Sequence, residues 1–242
     1  IEEARLAFAG CAALVDRTYD GAMIFDIGGG STEIVWLDLR GNGATERNGL
    51  DQKGIVTWTS LPFGVVNLAE QFKHMTAGPA QFDAMTAEIH GLLEGFDEAD
   101  ALRPMFDAGR VHMLGTSGTV TTLAGIHLGL SKYNRARVDG VWMDVADTRS
   151  LVSDLVAMTP EQRMGVPCVG KERAALLLAG CAIFEAICRL WTCPRLRIAD
   201  RGLREGMLLA LMDKADRERP RRSRRRRNQR ASGRHRPRRG PK

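Results

Sequence analysis

The eight residues Asp26-Ile27-Gly28-Gly29-Gly30-Ser31-Thr32-Glu33 constrain this chain more than any others. Three consecutive glycines leave no Cβ in the turn, so backbone amides can come close to an anion and gather around it as a nest. Ser31 and Thr32 add hydroxyl donors. Asp26 and Glu33 bracket the turn with carboxylates of the kind that share a hard cation such as Mg²⁺ with phosphate oxygens. The apolar runs 22–26 and 32–37 on either side both read as strands, which makes the glycines the turn of a hairpin. A hairpin in a chain otherwise built of strands leading into helices calls for an α/β fold with a mixed sheet, not a purely parallel one. The segment is not a Walker loop, since no Gly-Lys-Ser/Thr follows, and it lacks the strand-to-helix context of a dinucleotide-binding GxGxxG.

A second glycine segment, Gly115-Thr116-Ser117-Gly118-Thr119, follows the apolar strand 111–114 and precedes a helix that runs to about residue 128. Backbone donors, hydroxyls and a helix N-terminus coincide there, which makes an anion site. Two such loops about ninety residues apart imply a cleft that grips a polyanion. A third feature is the acidic start Glu2-Glu3-Ala4-Arg5-Leu6, which opens a helix over residues 2–15; a glutamate facing a phosphate cleft can orient or deprotonate water.

The remaining pattern predicts a polar loop over 40–54, strands at 55–59 and 196–199, and helices at 64–73, 79–96, 147–158, 172–191 and 203–215, the fourth-listed helix, 172–191, being mostly apolar and central. Asp147 is placed to N-cap the helix at 147–158. Charge divides the chain. Residues 217–242 hold 13 Arg and one Lys against the single acid Glu218, so of the net +6 this stretch supplies +13 and leaves −7 for residues 1–216. A segment of Arg, Pro, Ser and Gly buries too little apolar surface to fold, so residues 217–242 read as a disordered basic tail that contacts polyanions or nucleic acid without selectivity. The five cysteines, an odd number with no CxxC, read as buried reduced thiols of a cytoplasmic protein. No apolar run reaches membrane-spanning length.

Taken together, EEARL, DIGGGSTE, LPFGVVNL, GTSGTVTTLAG and GLREG, in that order over residues 1–212, resemble the exopolyphosphatase and guanosine-pentaphosphate phosphohydrolase family. The resemblance implies ribonuclease-H-like lobes that close on a phosphate cleft, with most of the first lobe missing here. On that reading residues 1–20 are a remnant of the first lobe, 21–216 form the second lobe, and 217–242 are the tail. It implies a hydrolase that releases terminal phosphate from polyphosphate or guanosine pentaphosphate. Glu3 would activate water, Asp26 and Glu33 would hold Mg²⁺, and Gly28, Gly29, Gly30, Ser31, Thr32, Gly115, Thr116, Ser117, Gly118 and Thr119 would bind phosphate. Family members also form homodimers. Relatives often carry an acid where this chain has Ala175. Two rival readings are an ATP-dependent kinase of the same superfamily and a non-enzymatic polyanion or nucleic-acid binder that uses the tail.

Overall fold

The computed structural model describes residues 2–40, 55–96 and 103–218. The chain begins with α1 (Glu2–Cys11) and a 3-10 turn (Ala12–Leu14), then β1 (Gly21–Ile27), β2 (Thr32–Asp38), β3 (Ile55–Leu61), α2 (Val65–Gln71), α3 (Pro79–Glu94) and α4 (Arg103–Asp107). It continues with β4 (Val111–Thr116), α5 (Gly118–His127), α6 (Arg135–Val138), β5 (Trp142–Asp144), α7 (Val145–Ala157), α8 (Pro160–Gly165), α9 (Lys171–Leu190), β6 (Arg195–Ala199) and α10 (Leu203–Glu218).

The strands form one six-stranded sheet in the order β3-β2-β1-β4-β6-β5. β1 pairs parallel with β4 and β4 parallel with β6, while the β1–β2, β2–β3 and β5–β6 pairs are antiparallel, so the sheet is mixed as the hairpin requires. The two-residue period of β1 sorts its side chains onto two faces. Met23, Phe25 and Ile27 join Ile34, Trp36, Met113 and Ile198 in the larger core, beneath α3, α5 and α9. Ala22 and Ile24 join Val35, Leu37, Leu114 and Ala199 on the other face, which α1 covers with Phe8 and Cys11.

Helix α9 is the central element: from Leu177 to Cys188 its residues are buried, Glu185 included. Ala- and Leu-rich composition favours the helix. Its one interior glycine, Gly180, is required by packing, since a Cβ there would fall on the Thr119 hydroxyl. Glu185 stays ionised in this setting because Arg149 and Arg189 both hydrogen-bond its carboxylate.

The short elements α4, α6 and β5 carry no periodic signal of their own, whereas α8 opens on a local one, the reciprocal Thr159 and Gln162 bonds of a capping box with Pro160 in the first turn. The pairing of β5 with β6 moves the start of α7 to Val145, with Asp144 in the N-cap position. Asp147 therefore sits in the first turn of α7 and does not cap it, although a carboxylate there still complements the helix dipole. The expected loop at 40–54 lies outside the described residues except for Arg40. Of the basic stretch 217–242, residues 217 and 218 close α10 and the rest lies outside the described residues.

Candidate functional site

The glycine turn leaves the end of β1 and is braced from behind by the start of α2. Gly28 N–H donates to Ser31 O at 2.9 Å and closes the turn. Val65 N–H donates to Gly28 O at 2.9 Å, Val66 N–H to Gly29 O at 2.8 Å, and Asn67 Nδ2 to Gly30 O at 3.0 Å. Three successive carbonyls thus turn toward the N-terminus of α2. In a planar trans peptide the N–H of the next residue points opposite to the carbonyl. The amides of Gly29, Gly30 and Ser31 therefore face away from α2 and are the turn's candidate donors to an anion. This approach needs a glycine at position 64, because a Cβ there would overlap the Gly28 carbonyl oxygen and the Gly29 backbone. Asn67 returns its side-chain oxygen to the Gly64 amide at 2.7 Å, which seals the helix start.

The second loop meets the first. β1 and β4 run parallel with Asp26 opposite Thr116, so both loops leave the same end of the sheet. Ser117 donates its hydroxyl to Ile27 O at 2.6 Å and ties one loop to the other. It does so at φ 89°, a region that disfavours any side chain and costs about 1–3 kcal/mol. Gly118 and Thr119 then open α5 with their amides free of intrahelical acceptors. A cavity of about 300 Å³ lies between the loops, lined by Gly28, Gly29, Ser117, Gly118, Thr119 and Arg173 among others. Arg173, in the first turn of α9, is the only charged residue lining it among those described, and its Nη1 reaches the Thr122 hydroxyl at 3.4 Å. A planar guanidinium with spare donors suits a phosphate group.

Several hydroxyls that the sequence offers to phosphate are spent inside the protein. Thr32 is fully buried and donates to Phe63 O at 2.8 Å. Thr116 donates to Arg201 O at 2.7 Å. Gly115 lies within β4, where a Cβ would come within 2.7 Å of the Phe25 ring. These residues shape the loops, and the backbone amides remain as the candidate donors.

The carboxylates lie on the other face of the sheet. Asp26 and Glu33 are register partners across β1 and β2, so their side chains emerge side by side. Glu33 accepts the Ser60 hydroxyl at 3.1 Å from the neighbouring strand. Cys11, beneath Asp26, is pushed up to about 12 by burial and next by the Asp26 charge, so it stays a thiol and donates to Arg201 O at 3.0 Å. Among the described residues no cluster of three or more His, Cys, Asp or Glu could enclose a metal. Two carboxylates side by side suit Mg²⁺, which keeps waters and takes further oxygens from phosphate. They do not fit a closed zinc cage. The backbone of Glu3 is in the first turn of α1; its side chain lies outside the described residues.

The sequence pattern of the Ppx/GppA phosphatases matches residues 1–215. The chain belongs to the Ppx/GppA phosphatase family. It is 24% identical over 214 residues to exopolyphosphatase 2 of Mycobacterium tuberculosis, in strains CDC 1551 and H37Rv alike, an alignment that covers 87% of this chain and 61% of the relative. The crystal structure of the type II variant of the Aquifex aeolicus Ppx/GppA phosphatase superposes with a TM-score of 0.66 at 25% identity, covering 86% of this chain and 62% of that one. The Cytophaga hutchinsonii exopolyphosphatase shares the fold, with a TM-score of 0.65 at 21% identity over 88% of this chain and 64% of its own. The chain thus spans about 61% of the length of the curated relatives it matches.

Sequence reasoning passed over Gly64, Asn67 and Arg173. A glycine followed three residues later by Asn, just before an apolar helix, is a capping signal that could have marked the brace. Arg173 carries no such local signal; it reaches the cavity only because α9 packs against α5.

Proposed function

We propose that this chain carries the phosphate-gripping part of a hydrolase that releases terminal phosphate from an extended phosphoanhydride, inorganic polyphosphate or guanosine pentaphosphate. One observation supports the reading: the carbonyls of Gly28, Gly29 and Gly30 all turn to α2, which leaves the next three amides pointing away from that helix, and Gly28 and Gly29 line one cavity with Gly118, Thr119 and Arg173. Such fixed donors offset charge on the equatorial phosphate oxygens without reorganising during the reaction. Asp26 and Glu33 would hold Mg²⁺, which when bound supplies charge neutralisation to bridging phosphate oxygens. Glu3 is the residue proposed to orient water toward the terminal phosphorus. With positions fixed in this way, catalysis is mainly positioning and electrostatics. The five free cysteines agree with a reducing compartment such as the cytoplasm. Residues 217–242 would gather long polyanions by counterion release, and a homodimer is part of the same proposal.

The test is phosphate release from long-chain polyphosphate and from guanosine pentaphosphate with Mg²⁺, by this chain and its Glu3→Ala variant, with ATP and no other acceptor as a third substrate. Release from either of the first two that collapses in the variant is expected. Release unchanged in Glu3→Ala would remove that residue from the mechanism. No release from any of the substrates would remove hydrolysis as the activity of this chain.

A further inference from the structure

The turn between β6 and α10 reaches over the ends of β1 and β4 and is held by a dense set of ionic contacts. Asp139, on the segment after α6, accepts the Asp200 amide at 3.0 Å and both Nε and Nη2 of Arg201. Its side chain is 15% exposed and that of Arg201 35%, so the pair is partly shielded from water. Arg135 adds a second tether, from Nη2 to Asp200 O and to Glu205 Oε1, while Glu205 Oε2 accepts the Gly202 amide at 2.9 Å. The result is a fixed Arg201 carbonyl. It accepts the hydroxyl of Thr116 at 2.7 Å and the thiol of Cys11 at 3.0 Å.

The consequence lies at Asp26. A Cβ on Gly202 would stand 3.4 Å from Thr116 Oγ1 and 3.6 Å from Asp26 Oδ2, so the turn, the hydroxyl and the carboxylate share one small space. A threonine hydroxyl has one proton and two lone pairs. With its proton directed to the Arg201 carbonyl, Thr116 presents lone pairs to the rest of that space. If the carbonyl moved away, the proton would be available to the Asp26 carboxylate and would use one of its acceptor sites. We infer that Asp139 and Arg201 are positioning residues for a cation site at Asp26: their ion pair pins the Arg201 carbonyl, which keeps Thr116 Oγ1 an acceptor beside the carboxylate. The inference rests on the reading of Asp26 as a cation-holding acid.

The probe is Mn²⁺ alone, followed by the loss of its free-ion EPR signal on titration with the full chain, with thermal melts recorded for every variant. Outer partners of metal ligands typically change affinity by about 10–100-fold when removed. Arg201→Ala is therefore expected to weaken Mn²⁺ binding by about tenfold or more, with partial recovery in Arg201→Lys, which keeps a donor for Asp139. Thr116→Val leaves the ion pair in place and is near-isosteric; it is expected to match Arg201→Ala, and Thr116→Ser to match the parent. Parent-like binding in Arg201→Ala or in Thr116→Val, while Asp26→Asn abolishes it, would overturn the positioning role and leave the site intact. Parent-like binding in Asp26→Asn would overturn the cation-site reading itself.

Discussion

Gly64→Ala tests the bracing of the glycine turn with a single methyl group. Gly64 has φ −126° and ψ −174°, a conformation open to any residue, so the substitution introduces no backbone strain of its own. The penalty comes from space. The new Cβ would overlap the Gly28 carbonyl oxygen and lie 2.6 Å from the Gly29 oxygen, both of them backbone atoms that cannot rotate aside. Overpacking of this kind costs about 1–3 kcal/mol. Relief by separation would stretch Val65 N–H to Gly28 O and Val66 N–H to Gly29 O, each worth about 0.5–1.5 kcal/mol. Together the expected loss is about 2–6 kcal/mol, or about 4–24 °C in melting temperature for a domain of this size. The assay is a thermal melt followed by circular dichroism, paired with calorimetric titration of inorganic triphosphate. Gly91→Ala is the control: Gly91 is an exposed residue of α3 with nothing within 4 Å of the new Cβ, so a gain of about 0.5–1 kcal/mol is expected from helix propensity. A Gly64→Ala protein that melts with the parent and binds triphosphate equally well would refute the argument that α2 orients the glycine amides.

Further outcomes follow from other parts of the structure. His112 is fully buried and its Nε2 accepts the Asp16 amide at 3.1 Å; burial holds its pKa below the ordinary 6.5. The unfolded chain therefore binds more protons below that value, so stability should fall as pH drops from 6.5 toward the folded-state pKa. A His112→Gln protein should lack this component in melts across that range. Glu185 also lies below its ordinary value: burial alone would raise it, and the hydrogen bonds from Arg149 and Arg189 outweigh that. Glu185→Ala leaves two arginines without their carboxylate and should destabilise by about 2–3 kcal/mol, toward the low end for a buried pair because both arginines are partly exposed. Gly206→Ala would drive a Cβ into the Leu6 carbonyl where α1 crosses α10, so chemical denaturation should show a loss of about 1–3 kcal/mol. Deleting residues 217–242 should raise apparent KM for long polyphosphate at low salt and leave short chains unaffected; equal KM values would reject the role of the tail.

The parts of the fold legible in the sequence were those with a strong local pattern. Residues 26–33 announced a hairpin and hence a mixed sheet, and the apolar run in α9 announced a central helix. Segments whose structure depends on a distant partner were silent. Three residues of β5 form a strand only because β6 lies alongside, and that pairing also displaced the start of α7 from the position expected from Asp147. The site divides in the same way. Glycines mark where a backbone can approach an anion, but no residue code tells which way a peptide faces. That direction comes from Val65, Val66 and Asn67, and the fate of the Thr32, Thr116 and Ser117 hydroxyl protons comes from carbonyls 31, 85 and 90 positions away in sequence.

Backbone amide NMR of the full chain, titrated with inorganic triphosphate in the presence of Mg²⁺, tests the central claim most directly, because it reads the donors themselves and does not depend on turnover. The account predicts saturable shifts of the Gly29, Gly30, Ser31, Gly118 and Thr119 amides, while Gly91 on α3 and Gly129 beyond α5 stay in place. Shifts confined to the arginine-rich residues 217–242, or to the separate hollow of about 450 Å³ between α2, α3, α8 and α9, would contradict it.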